Sequence, residues 1–184
     1  MRCFISIDID KKLVNKVVKI QKQLKDMDID TKLVGSENLH FTVKFLGDVN
    51  ENEVKGIKKS LEECLKNEGE FKISINGVGY FGSPPYIRTL WLGLNKGEDE
   101  LVKIMKKVND FVKVGKKNFS PHLTIGRVKS SKNKDILLKF MDESKNVNVG
   151  EMNVNEVKLK LSMLTKKGPI YSDLAVFKLG RENE

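Results

Sequence analysis

The chain has 184 residues, 39% hydrophobic and 32% charged, with a formal net charge of +9 and a sequence pI near 9.4. This composition belongs to a globular chain able to bury a core, not to a disordered one, and no apolar run approaches the roughly 20 residues of a membrane span. The length fits one domain over 1–184, or two small lobes sharing a core, and the basic balance favours polyanionic partners, nucleic acid above all.

Arg2 to Ile9 alternates as a strand, and it lacks the basic start and long apolar stretch of an export signal. Cys3 and Cys64 stand far apart in apolar settings and read as buried thiols, so a cytoplasmic location is expected. Lys11 to about Asp26 places Leu13, Val17, Ile20 and Leu24 on one helical face. Thr31 to Val34 is a short extended segment, and a strand beginning at Asn38 or Leu39 runs through Phe45 and Leu46 to a stop at Gly47. Asn50 and Glu53 form a capping-box pattern for a helix that buries Val54, Ile57, Leu61 and Leu65. Phe71 to Val78 and Thr89 to Leu94 are strands, joined by a loop over Gly79 to Arg88 that holds Pro84-Pro85, Tyr80, Phe81 and Tyr86.

The second half repeats this order. A helix near Glu98 to Val112 buries Leu101, Ile104 or Met105, Val108 and Phe111, and Gly115 to Asn118 is a basic loop. A strand follows over Phe119 to Val128, then a short helix over Ser131 to Asp142 with Ile136, Leu137 and Phe140 inward. Two long strands, Asn153 to Leu164 and Tyr171 to Leu179, close the chain, with a wet face expected along Lys158 and Lys160. A duplicated unit of this kind predicts an α+β fold of two similar lobes, with outer helices and a cleft between them.

One pattern occurs in both halves: His40-Phe41-Thr42-Val43 and His122-Leu123-Thr124-Ile125. On a strand, side chains two apart share a face, so each copy presents an imidazole beside a hydroxyl. These are the only histidines of the chain. Two imidazoles facing one cleft can divide proton transfer, one as base and one as acid, across a phosphodiester. The threonine hydroxyls would donate to the non-bridging oxygens, where charge is stabilised in the transition state. No metal or other cofactor is required, and no ligand set with zinc spacing, Gly-x-Ser-x-Gly elbow, P-loop or dinucleotide fingerprint is present.

Together with Phe4-Ile5-Ser6-Ile7-Asp8, Glu37-Asn38-Leu39, Lys44-Phe45-Leu46-Gly47, Phe119-Ser120-Pro121, Arg127-Val128 and Lys167-Gly168-Pro169-Ile170-Tyr171, the paired motifs resemble the two-histidine phosphoesterase superfamily. The branch they look most like is the RNA 2′,3′-cyclic phosphodiesterase, or 2′-5′ RNA ligase, family. The resemblance implies metal-free hydrolysis of an RNA 2′,3′-cyclic phosphate to a 2′-phosphate, with His40 as proton donor and His122 as proton acceptor. The chemistry alone leaves that order open. The substrate would be RNA with a cyclic phosphate end, tRNA fragments among the candidates, and the protein a monomer with no membrane association. Where relatives often have a tryptophan and a proline, this chain reads Leu33-Val34-Gly35-Ser36.

Four further residues are candidates. Lys44 keeps the inward phase of His40 and Thr42 and could reach the phosphate, or stand at the rim with its head in water. Arg127 is out of phase with His122 and Thr124, but a bulge at Gly126 would turn it inward as a phosphate ligand, the role the resemblance also favours. Phe119 and Tyr171 could stack a base at the cleft. The rival readings are the reverse reaction, 2′-5′ ligation; hydrolysis of a small cyclic nucleotide; and a non-catalytic module that binds RNA ends.

Overall fold

A computed structural model describes residues 1–180. It contains, in order, β1 (Arg2–Asp8), α1 (Lys11–Asp26), β2 (Thr31–Leu33), a 3-10 turn (Ser36–Asn38), β3 (His40–Asp48), α2 (Glu51–Leu65), β4 (Phe71–Ser83) and β5 (Tyr86–Lys96). Then follow α3 (Glu98–Phe111), β6 (Leu123–Val128), α4 (Lys134–Glu143), β7 (Asn148–Val154), β8 (Glu156–Thr165) and β9 (Gly168–Lys178). The architecture is α+β with two similar halves, as expected, and the sheets of the halves are continuous. The strands run antiparallel in the order β7-β4-β5-β6-β3-β1-β8-β9, with β2 on β6 alongside β3.

The two motif strands, β3 and β6, are therefore neighbours at the centre of this sheet. The halves are not the two halves of the sequence. The hairpin β4–β5 follows β3 but pairs with β6, and the hairpin β8–β9 follows β6 but pairs with β1 on the β3 side. This exchange ties the halves together. α2 and α3 pack on each other and against β9 and β3, while α1 packs on β2, β6 and β7. Among the described residues, no helix is long and apolar enough to cross a membrane.

The helices form where their faces and caps specify. In α1 the expected stripe Leu13, Val17, Ile20 and Leu24 is buried, and Asp10 caps it by accepting from Lys12 N. Gln21 is buried beside that stripe, and its Nε2 donates to the carbonyls of Val34 and Ile125 at 2.8 and 2.9 Å, anchoring α1 under β6. The capping box is present at α2: Glu53 N donates to Asn50 Oδ1, and Asn50 N donates to Glu53 Oε2.

Several boundaries differ from the sequence reading, each for a local reason. The proline segment is not a long loop: β4 and β5 extend through it and turn only at Pro84-Pro85. Gly79 permits this, because a Cβ there would lie 2.2 Å from the Trp91 ring that crosses it. β6 starts at Leu123 rather than Phe119, since Pro121 has no amide to give a ladder. Gly115, at φ +86°, lets the preceding loop approach the Phe45 carbonyl, where a Cβ would come within 2.1 Å. In α3 Asn109 is buried and Phe111 is exposed, and in α4 Met141 takes the inward place expected of Ile136. β7, an edge strand with Gly150 and three asparagines in or beside it, carries too weak an apolar pattern to be read as a strand.

Removing the capping box should cost about 1 kcal/mol of stability. Urea denaturation of Asn50→Ala should show a lower midpoint with an unchanged slope; an unchanged midpoint would mean that the cap contributes nothing.

Candidate active site

β3 and β6 meet through a single register pair, Phe41 opposite Leu123. Both side chains are buried, at 1% and 0% exposure, and so face the helices. The residues flanking them face the other way by strand alternation. Antiparallel register then sets His40 beside Thr124, and Thr42 beside His122. The approximate two-fold of the fold passes through this pair, and all four motif side chains gather around it, half-buried.

The two imidazoles are held alike. Nδ1 of His40 lies 2.7 Å from the Asn38 carbonyl, and Nδ1 of His122 lies 2.8 Å from the Ser120 carbonyl. A carbonyl can only accept, so Nδ1 carries a proton in both rings. In the neutral form each Nε2 is then a lone-pair acceptor, and that of His40 lies 3.0 Å from Thr42 Oγ1. Each ring also sits against two aromatics. Phe4 and Tyr171 lie 5.0 and 5.6 Å from His40, and Phe81 and Trp91 lie 4.7 and 6.4 Å from His122, centroid to centroid. Tyr171 thus packs edge-on to the His40 ring. Phe119 stands 45% exposed on the loop and joins neither aromatic pair.

Burial lowers the pKa of both histidines, and the surrounding charges differ. At His40 burial is opposed by the Asn38 carbonyl and by Asp8, its cross-strand partner, while Lys160 and His122 add to the lowering. At His122 burial is opposed by the Ser120 carbonyl, and Arg127 adds to the lowering. Asp8 belongs to a charge lattice: Lys158 and Lys160 each bind both Asp8 and Asp173, at 2.9–3.1 Å, and Lys158 also pairs with Glu156 at 3.4 Å. These lysines do not form the wet face expected along β8; Lys160 is 7% exposed because its ammonium is neutralised by two carboxylates. Lys158 is held protonated: burial lowers its pKa, but the bonds to Asp8 and Asp173 outweigh that.

Two bulges decide the remaining candidates. One extra residue, Val43, lies between the pairs Ser6–Thr42 and Ile5–Lys44. It turns Lys44 to the helix face with Ile5, so Lys44 neither lines the cleft nor stands at its rim. It is 1% exposed, and its Nζ donates to Asn109 Oδ1 at 2.9 Å. Asn109 Nδ2 in turn donates to the Asn118 carbonyl, and Asn118 bonds both the Thr42 carbonyl and Ser120 N. This chain braces the loop whose Ser120 carbonyl orients His122. The second bulge lies in β6, where Ile125 falls between the pairs Trp91–Thr124 and Leu90–Gly126. It returns Arg127 to the side of Trp91 and Thr124, near enough to affect His122 and Tyr171 electrostatically.

Residues 2–179 match the family model described as the AKAP7 2′5′ RNA ligase-like domain. The chain belongs to the 2′-5′ RNA ligase-like family. Among curated members it is 44% identical to the RNA 2′,3′-cyclic phosphodiesterase of Methanothermobacter thermautotrophicus, covering 97% of this chain and 99% of that one. It is 42% identical to the protein of the same name in Archaeoglobus fulgidus, over 96% and 99%. Among solved structures, TT0787 of Thermus thermophilus superposes with a TM-score of 0.81 at 23% identity, over 100% of both chains. A complex of E. coli LigT with 3′-AMP gives 0.75 at 18%, over 98% of both, so the fold is shared.

For this member of the family, Trp91, Asp8, Asp173 and the Lys44–Asn109–Asn118 chain went unseen in the sequence reading. Trp91 is the single tryptophan and sits on an alternating strand, which was a usable signal. The others depend on register and bulges. The depressed pKa values predict that both histidines of the free protein titrate below pH 6.5, the ordinary value. The unfolded chain then takes up more protons, so the histidine contribution to stability is full above about pH 6.5 and is lost as pH falls below it. Titration of the two imidazoles by NMR checks this, and a midpoint above 6.5 for either contradicts it.

Proposed function

We propose that the chain hydrolyses RNA 2′,3′-cyclic phosphate ends to 2′-phosphomonoesters, with the paired histidines as acid and base and with no metal in the reaction. The observation that carries this reading is the junction at Phe41 and Leu123, around which two imidazoles and two hydroxyls converge with each Nδ1 tied back to a carbonyl. The full-length relatives named RNA 2′,3′-cyclic phosphodiesterase support the substrate.

In this reading His122 Nε2 takes a proton from water as the water oxygen attacks phosphorus. The P–O3′ bond breaks, and His40 Nε2 delivers its proton to the departing 3′ oxygen. Thr42, Thr124 and Arg127 hold the non-bridging oxygens, and Tyr171 packs beside the nucleoside. The surrounding charges favour this order of roles. Asp8 favours the imidazolium of His40, as an acid needs, while Arg127 favours neutral His122, as a base needs. The bound phosphate anion raises both pKa values and supplies the proton-loaded form of His40. RNA fragments, tRNA among them, are the substrate class, and two free, buried cysteines suit a reducing cytoplasm.

The test is to incubate the protein with a nucleoside 2′,3′-cyclic phosphate in EDTA and identify the product. A 2′-phosphate is expected, with His40→Ala and His122→Ala each slower by about 10²–10⁴-fold. A 3′-phosphate or a metal requirement would overturn the reading. The profile of kcat/KM against pH should be bell-shaped with its maximum below 6.5, because both free-enzyme histidines are depressed. Asp8→Asn should shift the alkaline limb to lower pH; an unmoved limb would remove Asp8 from the account.

A further inference from the structure

Beyond the motif residues, β5 and β6 run on into a groove of about 490 Å³. It begins at Val128, the residue after Arg127, and it also takes in Arg88, next to the Thr89 that pairs with Arg127. Its lining carries four cations, Arg88, Lys129, Lys132 and Lys134, and no carboxylate. Lys132 is paired with Asp28, 2.6 Å away, and among the described residues the other three make no ion pair. By contrast, the groove of about 600 Å³ at the end of β1 carries both signs, with Asp8, Asp10, Glu37 and Glu156 facing Lys11, Lys12 and Lys158.

The groove also offers groups besides charge. Tyr86, at the hairpin tip, is 73% exposed, a large ring that the fold does not use. Ser130 Oγ accepts from Lys132 N, which leaves its hydroxyl proton to donate. Unpaired cations along a groove with an aromatic platform are the features that hold single-stranded nucleic acid, the cations tracking phosphates and the ring stacking a base. At about 3.3 Å per residue, Val128 lies roughly 20 Å along β6 from His122 and turns toward the core with Ile87 and Leu137, so a strand with its end at the histidines would reach the groove around the end of β6.

We propose that this groove binds the single-stranded RNA chain that leads up to the cyclic phosphate, making the enzyme selective for RNA ends over free cyclic nucleotides. The proposal rests on the reading of the histidine site as an RNA-end hydrolase and names its substrate more narrowly. Phosphate contacts supply affinity without sequence preference, so selectivity is for chain length and not for base identity.

The test compares the wild type with an Arg88→Ala/Lys129→Ala/Lys134→Ala variant and with Tyr86→Ala. The substrates are a nucleoside 2′,3′-cyclic phosphate and an oligoribonucleotide of several residues ending in the same group. The triple variant should keep wild-type kcat/KM on the mononucleotide, which also reports that it is folded. On the oligonucleotide it should lose about tenfold or more, with its log–log salt dependence shallower by about 2, since each single-strand phosphate contact contributes about 0.7. Tyr86→Ala should lose only on the oligonucleotide. Equal effects on both substrates, or none on either, would overturn the groove. If the wild type cleaves neither substrate, the hydrolase reading fails, and fluorescence anisotropy with a 3′-phosphorylated oligonucleotide still decides the groove. Binding weakened about tenfold or more in the triple variant supports it, and equal binding refutes it. Competition by poly-glutamate as effective as that by RNA would also refute RNA as the occupant.

Discussion

The site depends on one cross-strand contact, Phe41 against Leu123, at the centre of the sheet. Because both side chains are buried on the helix face, the strand period of two sends His40, Thr42 and Thr124 to the opposite face, with His122 just before β6. A slip of one residue in either strand would bury the imidazole and expose its apolar neighbour, so the core that stabilises the fold also fixes the register of the two motifs. The exchange of hairpins between halves reinforces this. β6 is flanked by the hairpin that follows β3, and the hairpin that follows β6 joins the β3 side through β1, so neither half can shift without carrying the other.

Symmetry alone would make the histidines equivalent, and acid–base work needs them to differ. The fold supplies the difference from residues outside the motifs. The β3 side holds a lattice of carboxylates and lysines with Asp8 next to His40, and the β6 side holds Arg127 next to His122. Burial depresses both rings; at His40 Asp8 opposes it while Lys160 and His122 add to it, and at His122 Arg127 adds to it. The lattice also explains how Lys160 comes to be buried in a strand: two carboxylates within hydrogen-bond reach offset the loss of water.

What the sequence revealed follows from periodicity. The α1 stripe, the α2 capping box, the paired motifs and the α+β class are all local patterns, and each is present as read. Arg127 returns to the motif face through a bulge, but the extra residue is Ile125 rather than the neighbouring Gly126 that marked it in the sequence. Lys44 was misread because the bulge at Val43 has no such marker: nothing in Thr42-Val43-Lys44 announces an extra residue, and the partner that buries the ammonium, Asn109, is on a distant helix. Lys158 and Lys160 were misread for the same kind of reason, since their partners Asp8 and Asp173 come from the first and last strands. The hairpin exchange was invisible because element order does not say which strands pair.

In the proposed mechanism the two histidines differ in role, with His40 loading the leaving oxygen and His122 activating water. A cyclic substrate with sulfur in place of the 3′ oxygen tests it most directly, because a thiolate leaves without a proton. His40→Ala should recover most of the wild-type rate on that substrate, and His122→Ala should remain slow. Recovery by His122→Ala instead would reverse the assignment, and recovery by neither or by both would contradict an acid–base pair divided across the Phe41–Leu123 junction.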